Sequence, residues 1–330
     1  MELTGALLVD KPRGPTSHDV VAFARRLLKT SRIGHTGTLD PLATGLLVLL
    51  VGPATRLAQF LAGDGKEYIA DVRLGVATPT YDAQSLAEGV RCPTPDIRYP
   101  RPAELDAVLD RFRGSFLQTP PAYSAKKVAG VAAYEKARRN QPLDLKPVEV
   151  TVHQLERLPV PDTDRTLVRL RVAASAGFYV RSLAHDLGQA LGCGAHLEAL
   201  RRTRAGGFAV ENAAPLDVLQ AEGADAAARM LSVNTLLAAF PAVTLTSEGL
   251  RRAANGNPLA PEHQKGGCPL FRADPGSSVT ETSDFRAIGH RTPPEKGTAP
   301  FFRVLDADGE VLAVAAARTD GLLHPVVVLR

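Results

Sequence analysis

The chain has 330 residues, 45% of them hydrophobic and 22% charged, a length and balance that supply a sizeable core, exclude wholesale disorder and suit two domains. Lys and Arg outnumber Asp and Glu by 39 to 35, and the whole excess lies in residues 1–244 (29 against 25), because 245–330 hold ten of each; a polyanion would therefore meet the first, larger part. Cys92, Cys193 and Cys268 are too far apart for a disulfide framework or zinc cluster, and the longest apolar run, Leu46 to Val51, is too short for a membrane span or signal segment, so a cytoplasmic protein with no metal and no membrane partner is expected.

In chain order, Gly5 to Asp10 reads as a first strand that runs into the turn Lys11-Pro12-Arg13-Gly14-Pro15. Thr16 or Ser17 can then cap a helix with Val20, Ala24, Leu27 and Leu28 on one face. Residues 31–45 hold three glycines and a proline with no sustained period and read as an ordered loop. From Lys66 to Gly75 the chain alternates, which predicts a half-buried strand with Tyr68, Ala70, Val72 and Leu74 facing inward. Pro102 opens and Gly114 stops a helix striped by Leu105, Val108, Leu109 and Phe112. Gln118 to Asn140 is polar and basic, an exposed excursion returning through a short helix.

Further on, Val168 to Val172 alternates as a strand and leads into Gly177-Phe178-Tyr179-Val180-Arg181. A helix follows with Val180, Leu183, Ala184, Leu187 and Leu191 on one face and Arg181 in its first turn. Residues 264–300 are rich in Gly, Pro, Ser and Thr, which predicts a long mobile loop. Around it the short runs 301–305, 311–315 and 326–329 predict a small β-rich tail domain. Basic residues cluster as Arg25-Arg26-Lys29-Arg32, Lys126-Lys127, Arg138-Arg139 and Arg201-Arg202-Arg204. One such cluster is ordinarily a solvated helix face, but four in one domain favour a nucleic acid.

No phosphate-binding Walker loop, dinucleotide fingerprint, HExxH or GxSxG occurs. Asp40 stands out within Gly34-His35-Thr36-Gly37-Thr38-Leu39-Asp40-Pro41-Leu42-Ala43-Thr44-Gly45. There, glycines permit close backbone approach to a ligand and Pro41 restricts the carboxylate's own backbone. On spacing alone, an Asp that merely caps a turn is the favoured explanation of the position.

This run resembles the catalytic motif of the TruB family of pseudouridine synthases, nearly residue for residue. Asp10-Lys11-Pro12-Arg13-Gly14-Pro15-Thr16-Ser17, Lys66-Glu67-Tyr68, Gly177 to Arg181, and Leu191 to Leu197 continuing to Thr203 agree with further blocks of that family in order and spacing. Pro120 to Lys126 and Tyr134 to Arg138 resemble its RNA-clamping excursion. The resemblance covers about residues 5–208. It implies an α/β (α+β) catalytic domain over 1–240 around a mixed, largely antiparallel sheet, with the excursion at 118–140. A weaker likeness implies a PUA-like RNA-binding domain over 241–330. Two departures are 264–300, longer than in a compact module, and Thr78 to Ser85, where the family is more acidic but Asp82 is kept.

The implied activity is isomerisation of the T-loop uridine at tRNA position 55 to pseudouridine by a stand-alone enzyme, with no cofactor and no obligatory protein partner; the lack of an exposed heptad or long apolar patch in the sequence favours a monomer. Asp40 would be the essential carboxylate, as nucleophile or as base towards a sugar proton. Arg181 would keep it ionised against desolvation; unaided by the resemblance, Arg181 reads as a solvated helix arginine. Tyr68 would stack on the flipped uracil, Tyr179 and Leu200 would line the pocket, His35 would help displace the base, and Lys11 would shape and charge the wall. For Tyr68, Tyr179 and Leu200 the competing view is ordinary core, and for His35 a structural histidine. Alternatives to the whole reading are a guide-dependent pseudouridine synthase subunit and a tRNA-folding chaperone without catalysis. A DNA-binding regulator is disfavoured, since no helix-turn-helix, zinc finger or heptad pattern occurs.

Overall fold

A computed structural model describes residues 3–87, 92–93, 100–124, 127–128, 131–133, 136, 139, 144–161, 164–259, 271–273, 301–318 and 322–329. Ten strands form one mixed sheet: β1 (Gly5–Lys11), β2 (Ile33–His35), β3 (Ala43–Val51), β4 (Lys66–Leu74), β5 (Gly114–Gln118), β6 (Val148–Leu158), β7 (Leu167–Ala174), β8 (Ala195–Ala205), β9 (Phe208–Ala209) and β10 (Ala214–Pro215). The spatial order is β10-β1-β3-β8-β4-β7-β6-β5, with β2 beside β3 and β9 beside β8. The β1/β10 and β3/β8 pairs are parallel and the other pairs antiparallel. A second sheet of β11 (Ala242–Leu245), β12 (Phe271–Ala273), β13 (Phe301–Leu305), β14 (Val311–Ala317) and β15 (Leu323–Val328) has the order β12-β11-β13-β14-β15.

Helix α1 (Ser17–Leu27) begins with a capping box in which Thr16 and Asp19 satisfy each other's backbone N–H groups. Its residues Val20, Val21 and Ala24 pack with Leu47, Leu49 and Val51 of β3. The alternate residues Leu46, Val48 and Leu50 pack on the other side with Leu57, Val233 and Leu236, and with Val314 and Val327 of the second sheet. Strand β3 is thus covered on both faces, which is why its sequence is continuously apolar rather than alternating. Strand β4 alternates as expected, with Tyr68, Ala70, Val72 and Leu74 buried. Helices α2 (Pro102–Leu109) and α3 (Val180–Leu191) cover the β4 side through Leu105, Leu109, Leu183, Ala184 and Leu187. Gly188 permits a close approach of α3 to the start of β8, since a Cβ there would lie 2.1 Å from the Ala195 amide nitrogen.

Several expectations need correction. Residues 31–45 are not wholly loop, because β2 occupies 33–35 and β3 already starts at 43; pairing with β1 and β3 supplies the order that the glycine-rich sequence hides. The helix from Pro102 ends at Leu109 and gives way to a 3-10 turn over Asp110–Phe112. The final strand starts at Leu323 rather than 326. In the excursion, Lys127–Val128 pair with Val131–Ala132, while Ala125, Lys126, Tyr134, Glu135, Ala137 and Arg138 lie outside the described residues, as does the 264–300 loop apart from β12. Among the described residues no helix is long and apolar enough to cross a membrane.

Candidate active site

The segment between β2 and β3 carries Asp40 and is pinned from several sides. Ser17 at the start of α1 donates its hydroxyl to the Leu39 carbonyl (3.0 Å) and accepts from the Leu39 N–H (2.8 Å). The Ala43 N–H closes a turn on the Asp40 carbonyl at 3.0 Å, and the Gly14 N–H donates to the Pro41 carbonyl at 2.8 Å. Gly45, at φ +98°, allows β3 to pass against β8, since a Cβ there would meet the Arg202 carbonyl oxygen at 2.3 Å. The turn after β1, the start of α1 and the β3/β8 contact together fix the Asp40 backbone.

Asp40 borders a pocket of about 410 Å³ whose lining includes Thr38, Lys66, Tyr68, Tyr179, Arg181, Leu200 and Arg202, a volume within the range of small-ligand sites. Arg181, in the first turn of α3, is buried and brings Nε to 3.0 Å from Asp40 Oδ2. Its Nη1 lies 3.6 Å from Asp82 Oδ2 and donates to the Thr80 carbonyl at 3.3 Å; its Nη2 donates to the Tyr123 carbonyl at 2.9 Å. One guanidinium therefore joins two carboxylates and the root of the excursion. Asp82 is itself fixed by donation from the Thr80 hydroxyl (2.6 Å) and the Gln84 N–H (3.0 Å). Gln118, at the end of β5, brackets Tyr179 by accepting from its N–H (2.8 Å) and donating to its carbonyl (3.0 Å).

The electrostatics follow from enclosure. Burial pushes the Asp40 carboxyl above its ordinary value; Arg181 and Lys11 pull it back, and Asp82 adds to the rise. Lys11 has no exposed surface and donates to the carbonyls of Pro12 (3.0 Å) and Pro15 (2.7 Å). Burial lowers its pKa to about 8, against the opposing pull of Asp40. Burial likewise lowers Lys66, aided by the nearby Arg202, and raises the Tyr179 phenol.

Of the expected site residues, Asp40, Tyr68, Tyr179, Arg181 and Leu200 come together around the pocket. Lys11 and His35 are not among its lining residues. Lys11 lies close enough to Asp40 to influence it, and His35 sits at the end of β2, edge-on to His18 with ring centroids 6.0 Å apart. Its Nδ1 is buried without a hydrogen-bond partner, and burial lowers its pKa. Arg181 is not the solvated helix arginine that spacing alone suggests. Sequence reasoning missed Arg202 and Lys66 as pocket residues. Arg202 was hidden in a basic run that resembles a solvated face, yet it is 2% exposed. Among the described residues no cluster of three or more His, Cys, Asp or Glu side chains is placed to hold a metal ion.

Comparison with known proteins agrees with this architecture. The family model for TruB family pseudouridylate synthase (N terminal domain) matches residues 25–180, and that for tRNA pseudouridylate synthase B C-terminal domain matches 181–238. A tRNA pseudouridine synthase B of Solibacter usitatus (strain Ellin6076) is 43% identical over 297 residues, covering 87% of this chain and 95% of the relative. One of Aquifex aeolicus (strain VF5) is 43% identical over 251 residues, covering 74% and 83%. Among solved structures, a chain of a Cbf5-Nop10-Gar1 complex superposes with a TM-score of 0.67 at 24% identity, covering 99% of this chain and 85% of that one; this likeness speaks to the fold alone. With its mixed α/β architecture and two consecutive family matches, the chain belongs to the TruB family of pseudouridylate synthases.

Proposed function

We propose that the chain is a stand-alone tRNA pseudouridine synthase acting on the T-loop uridine at position 55, with Asp40 as its essential carboxylate. The observation that carries the reading is the Asp40–Arg181 pair, 3.0 Å apart, at a pocket that also presents Tyr68, Tyr179 and Leu200. Isomerisation breaks the N1–C1′ bond of uridine, turns the base and joins C5 to C1′; the C5 proton is lost and N1 gains one. An ionised carboxylate can attack the sugar carbon or remove a sugar proton, and the Arg181 guanidinium favours that ionised form inside an enclosing wall. A duplexed or stacked uridine cannot enter such a pocket, so the target is flipped out and stacks on Tyr68. Lys11 supplies positive charge behind Asp40, and His35, beside the pocket, meets the displaced loop.

In this reading residues 1–240 form the catalytic domain, 118–140 clamp the RNA, and 241–330 form a PUA-like module that adds contacts to the tRNA. Relatives named tRNA pseudouridine synthase B match at 43% identity over most of their length, which favours action on tRNA; in the same reading the chain works as a monomer in the cytoplasm, without a guide RNA, a cofactor or protein partners. The test incubates the purified chain with an unmodified tRNA transcript and maps pseudouridine by carbodiimide-dependent primer extension, beside Asp40→Asn. Product at the T-loop uridine alone, absent from the variant while RNA binding persists, is the expected result. Tight binding without product from the intact chain would refute the reading and favour a guide-dependent subunit or a tRNA-folding chaperone.

A further inference from the structure

We propose that Arg202 is a positioning residue for this reaction, holding the Asp40 loop and the Tyr68 phenol in one rigid frame; the inference rests on the functional reading above. Arg202 is among the largest fully buried side chains, and among the described residues no carboxylate pairs with its guanidinium. A buried cation without a counter-charge is costly and a poor choice for packing alone. Its donors are spent instead on the loop. Nε donates to the Leu46 carbonyl at 2.7 Å, Nη2 to the Gly37 carbonyl at 3.0 Å, and Nη1 lies 3.5 Å from the Thr38 carbonyl. These acceptors flank Asp40 in sequence on both sides, so one planar fork spans the segment in which the carboxylate sits.

Tyr68 stands beside Arg202 across the β8/β4 ladder and lines the same pocket, and its phenol opposes the fall in the Arg202 pKa that burial causes. The backbone reinforces the arrangement. Arg202 pairs with Tyr68 across β8/β4 and with Gly45 across β8/β3, and a register shift follows it before Arg204. Bulges of this kind re-aim side chains beside functional sites. At Gly37 even a methyl group would lie 3.4 Å from Arg202 Nη1 and 3.4 Å from Lys66 Cε, so the loop lies in van der Waals range of both cationic side chains. Arg202 and Lys66 also border the pocket that holds Asp40 and Tyr68, a place that a strut serving the fold alone has no need to occupy.

The test compares the intact chain with Arg202→Lys, Arg202→Gln, Tyr68→Phe and the Arg202→Lys/Tyr68→Phe pair. It reads thermal melting, tRNA affinity and single-turnover pseudouridine formation. We expect a folded Arg202→Lys protein with tRNA affinity within about twofold of the intact chain and a rate lower by about 10²-fold, the scale of a misplacement near 1 Å. The Tyr68→Phe effect should be smaller on that background than alone, because both changes disturb one frame. A folded Arg202 variant reacting at the intact rate overturns the proposal, as does full additivity with Tyr68→Phe. Loss of the fold in both Arg202 variants assigns the residue to stability alone and also overturns it. Absence of product from the intact chain would instead overturn the functional reading, and the proposal with it.

Discussion

Lys11 offers a quantitative test of the electrostatics behind Asp40. Its ammonium is fully enclosed and its pKa is lowered from 10.5 to about 8. Since the unfolded chain binds this proton more tightly than the folded one, stability rises with pH between about 8 and 10.5. At neutral pH the charged lysine therefore costs roughly 3 kcal/mol of stability, from 2.5 pKa units at 1.36 kcal/mol each. Lys11→Met removes that proton from both states. It also strips the Pro12 and Pro15 carbonyls of a donor, a loss that does not vary with pH in this range. Urea unfolding of both proteins from pH 7 to 10.5 isolates the effect, because other titrating groups cancel in the difference. The stability of the intact chain relative to the variant should rise by roughly 3 kcal/mol across that range, mostly above pH 8. A difference flat in pH would refute the assignment of a depressed pKa to Lys11.

Asp82→Asn should leave Arg181 held by Asp40 and by the Thr80 and Tyr123 carbonyls, with little change in tRNA affinity. The acid limb of its pH–rate profile should shift to lower pH, because Asp82 raises the Asp40 pKa and its neutralisation removes that push; an unshifted limb would contradict the coupling. Gly188→Ala should destabilise by about 1–3 kcal/mol through overpacking of α3 on β8, visible as a lower melting temperature, and an unchanged melt would show that the helix can move aside. Gln118→Leu should leave two Tyr179 backbone groups without their partner and slow the reaction, measured under single-turnover conditions. An unchanged rate would separate the excursion's root from the pocket.

The pattern of what was legible in the sequence has physical causes. Strand β4 shows its alternation because only one face is fully buried, and α1 shows its start because Thr16 and Asp19 form a capping box. Strand β8 was not foreseen: its run Ala-His-Leu-Glu-Ala-Leu-Arg-Arg-Thr-Arg-Ala is broken by two register shifts, and its central position follows from partners distant in sequence. Strand β6 was also missed, as half of it is exposed and polar. At the pocket, Asp40, Tyr68 and Arg181 were legible through family resemblance. Spacing alone left Asp40 a turn cap and Arg181 a surface residue. Arg202 was illegible because a doublet of arginines gives no sign that Arg201 points towards Asp10 while Arg202 turns inward.

The parallel pairing of β3 with β8 also has a consequence for synthesis. The hydroxyl of Thr44 donates to the Leu200 carbonyl across 156 positions of chain, and β8 separates β3 from β4 in the sheet. A nascent chain emerging from the ribosome thus exposes the Asp40 loop long before its supporting strand exists. Contacts at such separation close slowly and late. The growing polypeptide therefore has no assembled pocket until residues near 205 have been made, and fragments released earlier should be inert.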